Sequence, residues 1–132
     1  MKRILGISML AVAAGCAASA PVQLSANEQS RLGEALAGRV AGPAVNCVSQ
    51  RNLRGNRSIG EGVILFESTG GVVYVNRPPA GCPSLGFGRT LVTRTTGTQL
   101  CRGDTATVVD MSSGMGFGGC ALGDFTPYRR TR

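Results

Sequence analysis

Four cysteines, Cys47, Cys82, Cys101 and Cys120, constrain this chain more than any other feature. A fifth, Cys16, stands apart at the end of a short apolar run, Val12-Ala13-Ala14-Gly15-Cys16. With Cys16 set aside an even set remains, which can close two disulfides in an oxidising compartment. Zinc held by four thiolates normally shows close Cys-x-x-Cys pairs, and the spacing here is too wide for that or for a redox pair. Four cysteines allow three connectivities. We favour Cys82–Cys101, which would clamp the two ends of a strand unit at 89–95, and Cys47–Cys120, which would tie the first strand to the last. Closing the roughly 20-residue loop of the first pair stabilises by about 3 kcal/mol on the chain-entropy model.

The first 20 residues read as an export signal: Lys2 and Arg3 form the charged start and Ile4 to Ala14 the apolar stretch. That stretch is shorter than the ~20 apolar residues a membrane span needs. Two processing routes compete. Cleavage after Ala18-Ser19-Ala20 fits an Ala-x-Ala site, but Pro21 would follow the cut, and its fixed φ and missing N–H suit an extended protease substrate poorly. Lipoprotein processing before Cys16 has its small residues in Ala14 and Gly15, with Ala13 where leucine is usual. We expect lipidation at Cys16, with the protein on the periplasmic side of the outer membrane; without it, the chain is soluble in the periplasm or secreted.

The 132 residues suffice for one small domain. Beyond the signal every basic residue is arginine, twelve against seven acids, for a net charge of about +5. Histidine and tryptophan are absent. Histidine-based metal sites, histidine-assisted nucleophiles and imidazole switches are therefore excluded, and base stacking is weakened. No cofactor-binding pattern appears, and an exported chain is not expected to meet nucleic acid.

Ser25 and Glu28 have capping-box spacing, and Leu32, Ala35, Leu36 and Val40 recur at helical intervals. They predict a helix over 26–39 within a helix-and-linker segment, 21–44. From Val45 short β-type runs alternate with turn residues. The runs are 45–50, 62–67, 72–76, 89–95, 105–110 and a weak one near 121–126. Ser68-Thr69-Gly70-Gly71 reads as a hairpin turn, and Arg77-Pro78-Pro79 ends the third run. The expectation is an all-β domain over 45–128, a small barrel or sandwich of five to six short strands, followed by a disordered basic tail, 129–132.

Gly114-Met115-Gly116-Phe117-Gly118-Gly119 matches Gly-x-Gly-x-x-Gly formally, but no helix can follow it to meet a phosphate. It reads as a flexible loop. Arg102-Gly103-Asp104 reads as a turn, with Asp104 also a candidate partner for Arg102 or Arg77. Arg51, Arg54 and Arg57 fall three apart and would form a basic edge able to meet anionic lipid or acidic glycan if extended.

Tyr74-Val75-Asn76-Arg77-Pro78, Gln99-Leu100-Cys101-Arg102-Gly103-Asp104 and Cys120-Ala121-Leu122-Gly123-Asp124-Phe125 resemble a family of small exported proteins of unknown function from Gram-negative bacteria. The resemblance implies a disulfide-bearing β domain behind a signal peptide and carries over no catalytic residue. Arg77 and Asp104 are the first binding candidates within it. The leading expectation is a non-enzymatic envelope lipoprotein, a module held to the membrane by its lipid that binds an envelope protein, peptidoglycan or anionic lipid. The alternative is a soluble periplasmic enzyme or an enzyme inhibitor presenting 81–88 or 112–119 as its loop. Two carboxyls facing each other in a cleft would favour an enzyme.

Overall fold

In the computed structural model the described residues are 21–132, together with Gly15. Cys16 and, apart from Gly15, the rest of the proposed export segment lie outside them. Helix α1 (Ala26–Ala35) starts where the capping box places it: the Ser25 hydroxyl accepts from the Glu28 N–H at 3.2 Å and the Glu28 carboxylate accepts from the Ser25 N–H at 2.8 Å. It ends short of residue 39. Gly38 takes a left-handed φ of 71° and turns the chain into a strand, so Val40 leaves the helical face and is exposed.

Ten strands follow: β1 (Arg39–Ala41), β2 (Cys47–Ser49), β3 (Leu53–Ile59), β4 (Val63–Ser68), β5 (Val73–Asn76), β6 (Thr90–Thr93), β7 (Gln99–Cys101), β8 (Thr105–Val109), β9 (Gly116–Ala121) and β10 (Phe125–Arg130). All pair antiparallel, in a five-stranded sheet of order β1-β10-β5-β4-β3, a three-stranded sheet β6-β8-β9 and a two-stranded pair β2-β7.

The large sheet is a middle layer. Val63 to Phe66 are all buried because β4 is covered on both faces. Val63 and Leu65 join Ile59, Val73 and Val75 on one face, where Leu24, Leu32, Ala35 and Leu36 of the helical segment pack. Ile64 and Phe66 point the other way, with Phe125, onto Val48, Leu91, Leu100 and Val108 of the two smaller sheets. Phe125 centres this core, 5.5 Å from the Phe66 ring and edge-on to Tyr74 at 6.4 Å. The architecture is an all-β sandwich with one helix on its outer face.

Asn76 is fully buried and holds the core's one buried polar side chain among the described residues. Its Nδ2 donates to the Gly123 carbonyl at 2.8 Å and its Oδ1 accepts from the Gly123 N–H at 2.9 Å. This pair continues the β5–β10 ladder by a side chain where the main chain has turned away. A Cβ on Gly123 would collide with the Arg77 carbonyl, so only glycine lets the two segments meet.

Several sequence expectations are corrected. The disulfides are Cys47–Cys101 and Cys82–Cys120, not Cys82–Cys101 and Cys47–Cys120. Two strands absent from the sequence reading decide this. β7 lies on β2 with Cys101 directly opposite Cys47, and β9 carries Cys120 across the core to Cys82. Of the 114–119 segment, read as a flexible loop, residues 116–119 belong to β9 and pair with β8 because the glycines allow close approach: a Cβ on Gly119 would stand 2.5 Å from the Ala106 carbonyl. The 129–132 tail begins as strand, since Arg129 and Arg130 pair with Val40 and Arg39 of β1. The linker segment therefore belongs to the β domain. The weak run near 121–126 is the junction between β9 and β10.

Pro127 shows why β10 was hard to read. It lies between β1 and β5, where a proline is normally excluded. Its carbonyl accepts from the Gly42 N–H at 2.7 Å, so its missing donor also points to that side, beyond the end of β1. The ladder to β5 loses nothing.

The two disulfides close loops of 54 and 38 residues, worth about 4 kcal/mol each on the chain-entropy model. Cys101→Ser is expected to lower the unfolding free energy by a few kcal/mol, and a non-reduced digest should recover the 47–101 and 82–120 peptide pairs. Asn76→Ala strands the Gly123 N–H and C=O in the core and is expected to cost about 2–3 kcal/mol in urea unfolding.

Candidate functional site

A groove of about 990 Å³ lies between the start of α1, the β3 edge and the 85–91 segment. Three devices build it. The β3–β4 hairpin turns at Gly60, whose φ is 61°, and presents Glu61. The Glu61 carbonyl accepts from the Cys82 N–H at 2.7 Å, and its carboxylate accepts from the Ser84 N–H at 2.7 Å. One residue thus holds the segment after β5 against the hairpin, beside the Cys82–Cys120 bridge. Asn56 and Ser58, the polar inner-face residues of β3, donate to the Leu91 carbonyl at 3.1 Å and the Leu85 carbonyl at 3.3 Å. These bonds dock the edge of the large sheet onto the small one.

Charges of both signs line the groove: Arg31, Arg57 and Arg89 against Glu28 and Glu61. Arg57 also pairs with Glu67 at 3.3 Å, both about half exposed, a contact worth under about 1 kcal/mol. Arg89 is more constrained. Its guanidinium lies 3.6 Å over the Phe117 ring and 5.7 Å from Phe87, and it donates to the Ser84 carbonyl at 3.1 Å. Beside it, Phe87 is 90% exposed and left-handed, with φ at 64°, between Gly86 and Gly88. A bulky side chain in that conformation costs about 1–2 kcal/mol.

Asp110 closes the turn between β8 and β9. Its Oδ1 accepts from the Ser112 hydroxyl at 2.6 Å, the Ser112 N–H at 2.8 Å and the Ser113 N–H at 3.2 Å. The Ser112 hydroxyl, then the two backbone N–H groups and the Arg89 charge, hold its carboxyl below the usual aspartate value.

The residues singled out by sequence do not converge. Arg57 lines the groove. Arg51 sits in the short turn Gln50–Asn52, and Arg54 lies at a register shift in β3, so the three do not form one basic edge. Asp104 turns inward: its carboxylate accepts from the Cys101 N–H at 2.7 Å and its own N–H donates to the Cys101 carbonyl at 3.1 Å. Gly103, with φ at 87°, completes that turn, as its residue type suggests. Arg102 pairs with Asp124 at 3.6 Å rather than with Asp104. Arg77 does not line the groove; it lines a depression of about 280 Å³ with Asp124 and Tyr128 and another of about 580 Å³ with Val22 and Leu32.

Sequence reasoning missed Glu61, Arg89 and Phe87. The flanking glycines of Phe87 were a visible signal of a turn, but not of a projecting ring. No protein-family model, curated protein or solved structure matches this chain.

The lowered Asp110 pKa has a pH consequence. An ionised carboxyl that the fold favours adds stability above its unfolded pKa, and that contribution is lost as pH falls through the lower folded value. Wild-type protein is expected to lose stability on acidification below roughly pH 3.9, the ordinary aspartate value. Asp110→Asn should flatten that part of a melting-temperature against pH profile.

Proposed function

We propose that the chain is a cell-envelope lipoprotein, lipid-modified at Cys16, whose disulfide-stapled β domain acts as a non-enzymatic binding module with the groove as its site. The observation that carries this reading is the work done by the acids. Of seven, six are tied to local structure: Glu28 to the helix cap, Glu61 to the Ser84 N–H, Glu67 to Arg57, Asp104 to the Cys101 N–H, Asp110 to its serines and Asp124 to Arg102. Carboxylates engaged in this way are poor proton carriers and good scaffolding. The two disulfides fit an exported chain. Paired cations and anions on the groove walls suit a ligand bearing both charges, as peptidoglycan stem peptides and extended protein segments do.

Two observations favour a second reading, a soluble periplasmic enzyme or inhibitor. Glu28 and Glu61 share the groove, and Phe87 projects from a loop held beside a disulfide. Against the enzyme, each of these glutamates already accepts a backbone N–H. Against a substrate-like inhibitor, φ is 64° at Phe87 and 74° at Gly88, whereas a segment lying in a protease cleft is extended.

The intact mass of natively expressed, unreduced protein decides between them. The expected species starts at Cys16, carries diacylglycerol and acyl groups, and lacks four hydrogens for its two disulfides. A bare chain starting near Pro21 would overturn the lipoprotein reading.

A further inference from the structure

Six large hydrophobic side chains are exposed among the described residues: Val22, Val40, Val45, Phe87, Met111 and Met115. Three of the six, Phe87, Met111 and Met115, gather at one end of the three-stranded sheet. Thr90 pairs with Val109, and Val109 with Gly116, so the start of β6, the end of β8 and the start of β9 lie together at one end of the three-stranded sheet. Phe87 precedes that end, and Met111 and Met115 occupy the turn beyond it. Val22 lines the same groove as Phe87. Phe87 is 90% exposed, Met111 72% and Met115 59%.

The Phe87 ring is held out rather than left loose. It stands beside the Arg89 guanidinium, which is itself stacked on Phe117 and bonded to the Ser84 carbonyl. The backbone is left-handed at both Phe87 and Gly88, and the ring between them is exposed to solvent. An aromatic ring kept in water in a costly conformation belongs with something that covers it.

The chain upstream indicates what does. Five residues separate Cys16 from Val22, and such a segment spans at most about 20 Å even when fully extended. A lipid on Cys16 therefore brings a bilayer surface within reach of this end. We infer that the end bearing Phe87, Met111 and Met115, across the groove from Val22, docks on the phospholipid bilayer that carries the Cys16 lipid. This inference rests on the lipoprotein reading for its tether. Phe87 and the methionines enter the headgroup boundary, where aromatic and thioether side chains are well accommodated. Arg31, Arg57 and Arg89 are balanced here by Glu28, Glu61 and Asp110, so apolar contact rather than net charge carries the docking. The groove opens at that surface, which places its ligand beside the membrane.

The test uses the chain from residue 16 with Cys16→Ser, which keeps all of residues 21–132 and removes the lipid. The probe is vesicles of phosphatidylethanolamine and phosphatidylglycerol, in a flotation assay. The unlipidated chain is expected to bind them and to stay bound in high salt. Phe87→Ser should weaken binding roughly tenfold, and Val40→Ser, on the distant β1, should leave it unchanged. The chain has no tryptophan, so Phe87→Trp is a clean reporter whose emission should shift to the blue on adding vesicles. No binding, binding lost in high salt, indifference to Phe87→Ser, or a reporter that stays in water would each overturn the docking face. Vesicle binding by a protein whose native mass shows no lipid would sink the anchor and leave the face standing. A lipidated protein whose reporter stays in water would do the reverse.

Discussion

The burial of β4 on both faces is the constraint from which the rest of the fold follows. Val63 and Leu65 need a cover on one side and Ile64 and Phe66 on the other. Among the described residues there is one α-helix, and it takes the first face; the second falls to two short sheets. Neither of these could stand alone, because a two-stranded pair and a glycine-rich three-stranded sheet bury too little by themselves. They persist because each is bound to the large sheet. Val48, Leu100, Leu91 and Val108 pack on Phe66 and Phe125, and Asn56 and Ser58 reach across to main-chain carbonyls.

The disulfides finish what packing begins. Cys47–Cys101 locks the two-stranded pair, and Cys82–Cys120 ties the segment after β5 to β9. Both act on short elements, since β2 and β7 have three residues each and Cys82 lies outside any strand, which is where a small domain most needs a covalent link. The same logic explains Asn76. A buried amide is costly unless both of its ends are satisfied, and the Gly123 peptide satisfies both. Cys82–Cys120 is joined to the groove through Glu61, which lines it and whose carbonyl accepts from the Cys82 N–H.

The groove and the exposed end beside it are therefore by-products of how two sheets of unequal size are joined. The small sheet covers only part of the large one, and the segment from Cys82 to Arg89 bridges the gap. Glu61 fixes its beginning and Arg89 its end. Between these fixed points the chain must turn outward, and Phe87 sits at the turn. Under the proposed anchoring the same arrangement faces a bilayer, which gives the outward ring a partner.

Much of this was legible beforehand. The helix start could be read because a capping box is local chemistry between residues three apart, and β4, β5 and β8 because runs of buried residues declare themselves. The turns at Gly70, Gly71 and Gly103 were visible in residue type alone. What stayed hidden was non-local. β3 is an edge strand with few apolar residues, β9 is strand only because Ala106 and Gly119 approach closely, and β10 contains a proline tolerated only because β1 ends one residue earlier. Cysteine pairing and the meeting of Glu61, Arg89 and Phe87 depended on those strands. The sequence by itself determined the class of fold, the number of disulfides and the local turns, since these follow from short-range patterning and from the count of cysteines. Tertiary structure alone decided which cysteines pair and where a site forms, because both depend on which distant strands lie side by side.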